Sequence, residues 1–146
     1  MNAVEFRDLV NTVADAWNEA DTVSAADCFA DDAIYMEPPD RHFFQGRVQL
    51  LALFSMLHPG NNMQWHHIWF DEQSQVGAGE FTFAHDQVHG VAIIEVEEQK
   101  IKLWREYQWH GHMSWQRFIA HENKTFQCTI DNSPFLLLHE TVIPGH

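Results

Sequence analysis

The stretch DDAIYMEPPD, Asp31 to Asp40, sets a short β-like apolar run, Ala33-Ile34-Tyr35-Met36, directly before a carboxylate, Glu37, and then two prolines. Proline has no N–H to give to a ladder, so the strand stops at Pro38-Pro39. Tyr35 and Glu37 stand two residues apart and share one face of that strand. Two readings follow. Glu37 is a solvated strand end beside a turn, or it is a carboxylate aimed into a pocket with its direction fixed by the prolines behind it.

Upstream, residues 3–20 read as a helix, because Phe6, Leu9, Val10, Val13 and Trp17 recur at three- and four-residue steps. Thr22 or Ser24 can cap a second, short helix over about 24–30 that buries Cys28 and Phe29. Downstream, Gly46 opens a third helix, RVQLLALFSML, with Val48, Leu51, Phe54 and Leu57 on one side, and HPGNN ends it. The periodicity then changes to two. Strands fall near 64–71, 76–85, 88–97 and 100–110, separated by DEQSQ, HDQ and EEQK. Gaps this short connect antiparallel neighbours. Helix, helix, strand, helix and four strands make an α+β fold, a curved antiparallel sheet packed on three N-terminal helices. Residues 111–146 carry a short helix candidate in SWQRFIAH and strand candidates in TFQCTI and PFLLLHETVI. The chain reads as one domain over 1–146, with its core in about 3–110 and a C-terminal extension over 111–146.

Composition excludes several functions. The 146 residues carry a formal net charge of −13 with only 8 Lys and Arg. Phosphate backbones and anionic lipid surfaces need clustered cations, so neither nucleic acid nor a membrane surface is expected as a partner. The opening MNAVEFRDLV has two acids and no apolar core, so it does not read as a secretory signal. Two cysteines 100 residues apart, Cys28 and Cys128, fit a reduced, cytoplasmic protein. Six Trp and 11 Phe supply flat apolar walls, suited equally to a core and to enclosing an apolar ligand.

Strand parity gives a map of the faces. On the last strand Trp104, Glu106, Gln108 and His110 share one face, and Leu103, Arg105, Tyr107 and Trp109 share the other. Both are rich in rings. One is expected to line a pocket and the other to meet a second subunit.

CFADDAIYMEPP, the Gly46-Arg47 pair and WREYQW at 104–109 together resemble the nuclear transport factor 2-like superfamily, in particular its SnoaL-like branch. The resemblance covers about residues 3–110. It implies a cone of three helices on a curved sheet with a pocket in the open end, and a homodimer formed through the outer sheet face. In the epoxide hydrolase branch the acid of the Trp-Arg-acid-Tyr motif is catalytic, and that position is Glu106 here. In the ketosteroid isomerase branch the acid before the proline is the general base, and that position is Glu37. Tyr35 matches a cavity tyrosine of the epoxide hydrolases. The departures are equally specific. The Arg-x-Asp of the hydrolases is replaced by Phe81-x-Phe83. The helix tyrosine and the protonated acid of the isomerases fall on Val13 and Val91.

What these residues can do is acid–base chemistry. A carboxylate in an apolar cavity has its charged form disfavoured, and a second acid nearby raises its pKa further. Glu37, Glu106 and Tyr35 are the candidate catalytic residues. Trp65, His67, Trp69, Phe81, Phe83, Trp104 and Trp17 are the candidate ligand-contacting wall, His67 by its parity with Trp65 and Trp69. Each also has a purely structural reading: Glu106 as a buried acid bonded to its neighbours, Tyr35 and the rings as core. Glu80 and Arg105 are expected to pair across strands on the outer face. The histidine pairs His66-His67, His85/His89 and His110-x-His112 lack a convergent third or fourth ligand, and no metal or cofactor is expected. The expected ligand is a small, apolar, oxygenated molecule such as a polyketide, terpenoid or steroid-like ring. The expected activity is a cofactor-independent isomerase, cyclase or dehydratase, with a non-catalytic ligand-binding or dimeric interaction protein as the alternative.

Overall fold

Ala3–Glu19 forms helix α1 in the computed structural model, which describes residues 1–38, 42–111 and 113–120. Its start is a reciprocal cap. Asn2 Oδ1 accepts from the backbone N–H groups of Val4 and Glu5 at 2.9 and 3.0 Å, and Glu5 Oε2 accepts from the Asn2 N–H at 2.7 Å. Phe6, Val10, Val13, Ala14, Ala16 and Trp17 form the buried face. The helix ends at Ala20, whose φ of 56° breaks the ladder. Asp21, rather than Thr22 or Ser24, then caps α2, Thr22–Asp27, by accepting from the Ser24 N–H at 3.0 Å. Cys28 closes α2; its thiol is free and buried, and burial raises its pKa. Strand β1 is Phe29–Glu37, followed by β2, His42–Gln45, and α3, Arg47–Phe54. Leu50 and Phe54 form the buried face of α3, while Val48 points to solvent.

The remaining strands are β3 (Gln64–Asp71), β4 (Val76–Phe83), β5 (Val88–Glu97) and β6 (Lys100–His110). They run as an antiparallel meander, and one open six-stranded sheet has the order β2-β1-β6-β5-β4-β3. The architecture is the expected α+β one: a curved, unclosed sheet with its helices at the N-terminus. Two features of the sheet differ from the expectation. β1 lies parallel to β6, with Tyr35 opposite Trp104, because the chain returns to β1 only after α3 and the whole meander. β1 stops before the prolines as expected, but a further strand that the sequence reading lacked, β2, folds back on it and sets His42 opposite Glu37.

A bulge in β3 decides which aromatic residues face the helices. Trp65 pairs with Phe81 and His67 with Glu80, so His66 is an extra residue and the alternation slips by one. Trp65 packs inward, and its Nε1 donates to the Val10 carbonyl at 3.0 Å. His67 and Trp69 face out instead. Gly79 and Gly90 make the inner packing possible. A Cβ on Gly79 would lie 2.3 Å from the Trp65 ring, and one on Gly90 would lie 2.3 Å from the tip of Phe81. Trp104 is the centre of the core, with ring centroids of Trp17, Tyr35, Phe29 and Trp65 at 5.3, 6.1, 6.0 and 5.8 Å. Such ring pairs add about 0.5–1.5 kcal/mol each beyond the area they bury.

The chain divides into two compact units, Met1–Ser114 and Trp115–His146. In the second, α4, Trp115–Ile119, occupies the helix candidate, and its Trp115 and Phe118 rings lie 5.8 Å apart. TFQCTI, PFLLLHETVI, Cys128 and His112 lie outside the described residues. Among the described residues no helix is long and apolar enough to cross a membrane.

Candidate active site

The helices do not fill the inner face of the sheet completely. A cavity of about 110 Å³ is left between α1, α3 and the strands. Trp17 of α1, Leu53 and Phe54 of α3, Leu57, and Phe81 and Phe83 of β4 give it an apolar wall. Its polar groups are Tyr35 and Glu37 from β1 and Glu106 and Gln108 from β6. The parallel pairing of β1 with β6 is what brings the two acids together, since their strands are neighbours only through it.

Glu106 is 2% exposed and accepts on both carboxylate oxygens. Trp104 Nε1 donates to Oε2 at 2.7 Å, and Gln108 Nε2 donates to Oε1. Burial pushes its pKa up to about 7. The hydrogen bonds from Trp104 and Gln108 oppose the rise by favouring the anion, the charge of Glu37 adds to it, and the Tyr35 hydroxyl opposes it when turned toward Glu106. Tyr35 is buried between the two acids. Its hydroxyl donates to Glu37 Oε1 at 3.2 Å and lies within hydrogen-bonding reach of Glu106. Burial, then the two carboxylates, hold its pKa well above the usual phenol value, so it stays a proton donor at neutral pH. Glu37 reaches the rim, with 22% of its side chain exposed, and its Oε2 lies 2.6 Å from His42 Nδ1.

The structure therefore brings Glu37, Tyr35, Glu106, Trp17, Phe81 and Phe83 to one cavity. Trp104 stands behind it, fully buried and holding Glu106. Trp65 packs against Trp104 and Phe81 without lining the cavity. His67 and Trp69 are corrections to the expected wall: the bulge at His66 turns both to the outer face. There His67 pairs with Glu80 at 2.8 Å and stacks on Trp69, which is 56% exposed. Glu80 therefore does not pair with Arg105, which stands on β6 with β5 in between. Val91 also faces out, and the inward residues of β5 beside it, Gly90 and Ala92, carry no acid. His42 was hidden because four residues are too few to show a period, and Leu53, Phe54 and Leu57 read as ordinary core. Gln108 was signalled by its parity with Glu106. Among the described residues no three His, Cys, Asp or Glu side chains are grouped to hold a metal ion.

Helices on one face of an open sheet, with a cavity of acids and rings between them, define a protein of the NTF2-like class. The chain belongs to the SnoaL-like domain family, whose family model matches residues 10–104. A comparison with curated protein sequences finds no match. Among solved structures, an NTF2-like protein of unknown function from Burkholderia xenovorans LB400 is 23% identical, with a TM-score of 0.64 over 75% of this chain and 87% of that one. An LEH-like epoxide hydrolase of M. tuberculosis is 19% identical, with a TM-score of 0.60 over 73% and 84%. A protein with a ketosteroid isomerase-like fold from Catenulispora acidiphila DSM 44928 is 13% identical, with a TM-score of 0.59 over 75% and 87%. At these identities the likeness is one of fold.

Proposed function

We propose that this protein is a cofactor-independent acid–base catalyst, an isomerase, cyclase or dehydratase, acting on a small apolar molecule that carries a carbonyl or hydroxyl oxygen. The observation that supports this most is Glu106, a buried carboxyl with a pKa of about 7 in an apolar cavity. Near neutral pH such a group is populated in both forms, which suits it to take a proton in one half of a reaction and return it in the other. Glu106 would abstract a proton next to a substrate carbonyl. The Tyr35 hydroxyl would turn from Glu37 to the substrate oxygen as enolate charge develops there. Its bond to Glu37 is long, at 3.2 Å, so a substrate oxygen competes with little loss. Phe81 and Phe83 occupy the places where the hydrolase pattern has a water-activating pair, which argues for chemistry within the substrate over hydrolysis.

Size narrows the substrate. An apolar cavity of about 150 Å³ holds one benzene ring. At about 110 Å³ the cavity suits a molecule of roughly one ring or less. A steroid-sized substrate requires the walls to open.

One observation favours the non-catalytic alternative. Both oxygens of Glu106 already have donors, as in a structural acid. Deuterium incorporation separates the two readings. Cyclopentanone- and cyclohexenone-type ketones are incubated in D₂O with wild type, Glu106→Gln and Glu37→Gln, and the protons next to the carbonyl are followed by NMR. Exchange by wild type that is lost in Glu106→Gln supports catalysis. Binding without exchange would favour a ligand-binding module, and neither binding nor exchange would overturn the proposed ligand class.

The protein is further proposed to act as a homodimer through the outer sheet face. Val91, Tyr107 and Trp69 are 37%, 52% and 56% exposed there. The Nε of Arg105 on the same face is buried without an acceptor among the described residues, an arrangement that a partner's carboxylate or carbonyl would complete.

A further inference from the structure

We propose that His42 is the surface end of a proton relay, Glu106–Tyr35–Glu37–His42, which resets the protonation state of Glu106 from bulk water. This rests on the acid–base reading above and adds a residue and a route to it. Glu106 is buried, so a proton that is exchanged with water instead of returned to the substrate needs a path to solvent. The hydrogen-bonded chain provides one. The Tyr35 hydroxyl lies within bonding reach of Glu106 and donates to Glu37 Oε1 at 3.2 Å, and Glu37 Oε2 meets His42 Nδ1 at 2.6 Å. The imidazole is half exposed, and the Phe44 ring stacked 5.9 Å away holds its orientation. The register of β1 with β2, Glu37 opposite His42 and Tyr35 opposite Phe44, builds this end of the chain. Among the described residues lining the cavity, α1, α3 and β4 offer only Trp17, leucines and phenylalanines, and no other titratable group competes for the proton.

The transfer balances with one proton and no other reactant. Glu106 gives its proton to the Tyr35 oxygen while the Tyr35 proton passes to Glu37 Oε1. The Glu37 carboxyl then turns about its Cγ–Cδ bond to bring the protonated oxygen to His42 and passes that same proton to Nδ1, and the imidazolium so formed loses its Nε2 proton to water. The ring returns to its first tautomer by exchange with solvent. Run in reverse, the same steps reload Glu106.

The test uses the full chain without ligand, so it does not depend on any substrate. Trp104 Nε1–H donates to Glu106, and its indole ¹⁵N signal therefore reports the ionisation of that carboxyl. Relaxation dispersion of this signal near pH 7 gives the rate of proton exchange at Glu106. In His42→Ala the rate is expected to fall roughly tenfold or more, the scale of a lost general acid–base group, with the titration midpoint little changed. Added imidazole should restore the rate in His42→Ala, which a merely structural role for His42 would not allow. Glu37→Gln should slow exchange as much and resist rescue. An unchanged rate in both variants overturns the relay and means that the proton leaves through the cavity mouth. Slowed exchange without imidazole rescue also overturns the role of His42. The two proposals fail separately: ketone exchange can persist while the relay is absent, and the relay can be present while no ketone exchanges.

Discussion

Replacing Glu106 by glutamine should make the protein more stable above pH 7. In the folded protein burial raises this carboxyl from 4.5 to about 7. Between those values the folded state holds a proton that the unfolded state has lost, so stability falls as pH rises. The contribution is complete below about 4.5 and is lost as pH passes through about 7. At about 1.4 kcal/mol per tenfold, the separation is worth on the order of 3 kcal/mol, a large part of the 5–15 kcal/mol typical of a domain. Glutamine keeps the shape without the charge. Trp104 retains an acceptor, and the Gln108 amide must rotate to offer its oxygen, a rearrangement costing on the order of 1 kcal/mol. Glu106→Gln is therefore expected to be slightly less stable than wild type at pH 5 and more stable by about 2 kcal/mol at pH 8. Urea unfolding of both proteins from pH 5 to 8.5 measures this. All other histidines and carboxylates are common to the pair, so their difference isolates Glu106. A difference that stays flat with pH would refute the assignment of a raised pKa to this residue, and with it the physical basis of the proposed chemistry.

Tyr35→Phe should raise the midpoint of Glu106 further, because the phenol bond that favours its anion is gone; a midpoint that falls in the Trp104 indole titration contradicts this. Gly90→Ala should abolish ligand binding, because its Cβ would sit 2.3 Å from Phe81 and drive that ring into the cavity, at a stability cost of about 1–3 kcal/mol. Thermal shift with a ligand that stabilises wild type checks it, and full binding by the variant would contradict the packing argument. Val91→Arg should give a monomer by light scattering where wild type is a dimer, since it sets a second positive charge on the outer face near Arg105; a wild type that is already monomeric at high concentration removes the proposal.

The parts of the fold legible in the sequence are those set by local periodicity. Helix α1 follows from the spacing of Phe6, Val10, Val13 and Trp17, and the meander follows from alternation between short turns. Glu106 and Gln108 share a cavity because they share parity, and Tyr35 and Glu37 do so for the same reason. What local pattern cannot carry is pairing. The parallel contact of β1 with β6 joins segments nearly seventy positions apart, and only it makes Glu37 and Glu106 neighbours. The bulge at His66 depends on a register set by β4, so parity counted along β3 alone put His67 and Trp69 on the wrong face. The expected bond between Glu80 and Arg105 failed likewise, because strand order, invisible in one strand, put β5 between them.

The two glutamates are the same residue type in the same cavity, so their roles are separated by surroundings. Glu106 is enclosed by Trp104 and the sheet, where charge is costly, and at neutral pH it is balanced between its two forms. Glu37 reaches the rim, where it is partly exposed and its Oε2 lies 2.6 Å from an imidazole nitrogen. Tyr35 stands between them with one proton and two acceptors, and its high pKa keeps it protonated at neutral pH. Removing any one of these differences would remove the proposed acid–base chemistry. An exposed Glu106 would be fully ionised at neutral pH, and a buried Glu37 would have no outlet. Because the gradient depends on which strand lies beside which, the same pair of acids on the same fold without the pairing of β1, β2 and β6 would have no directed path for a proton.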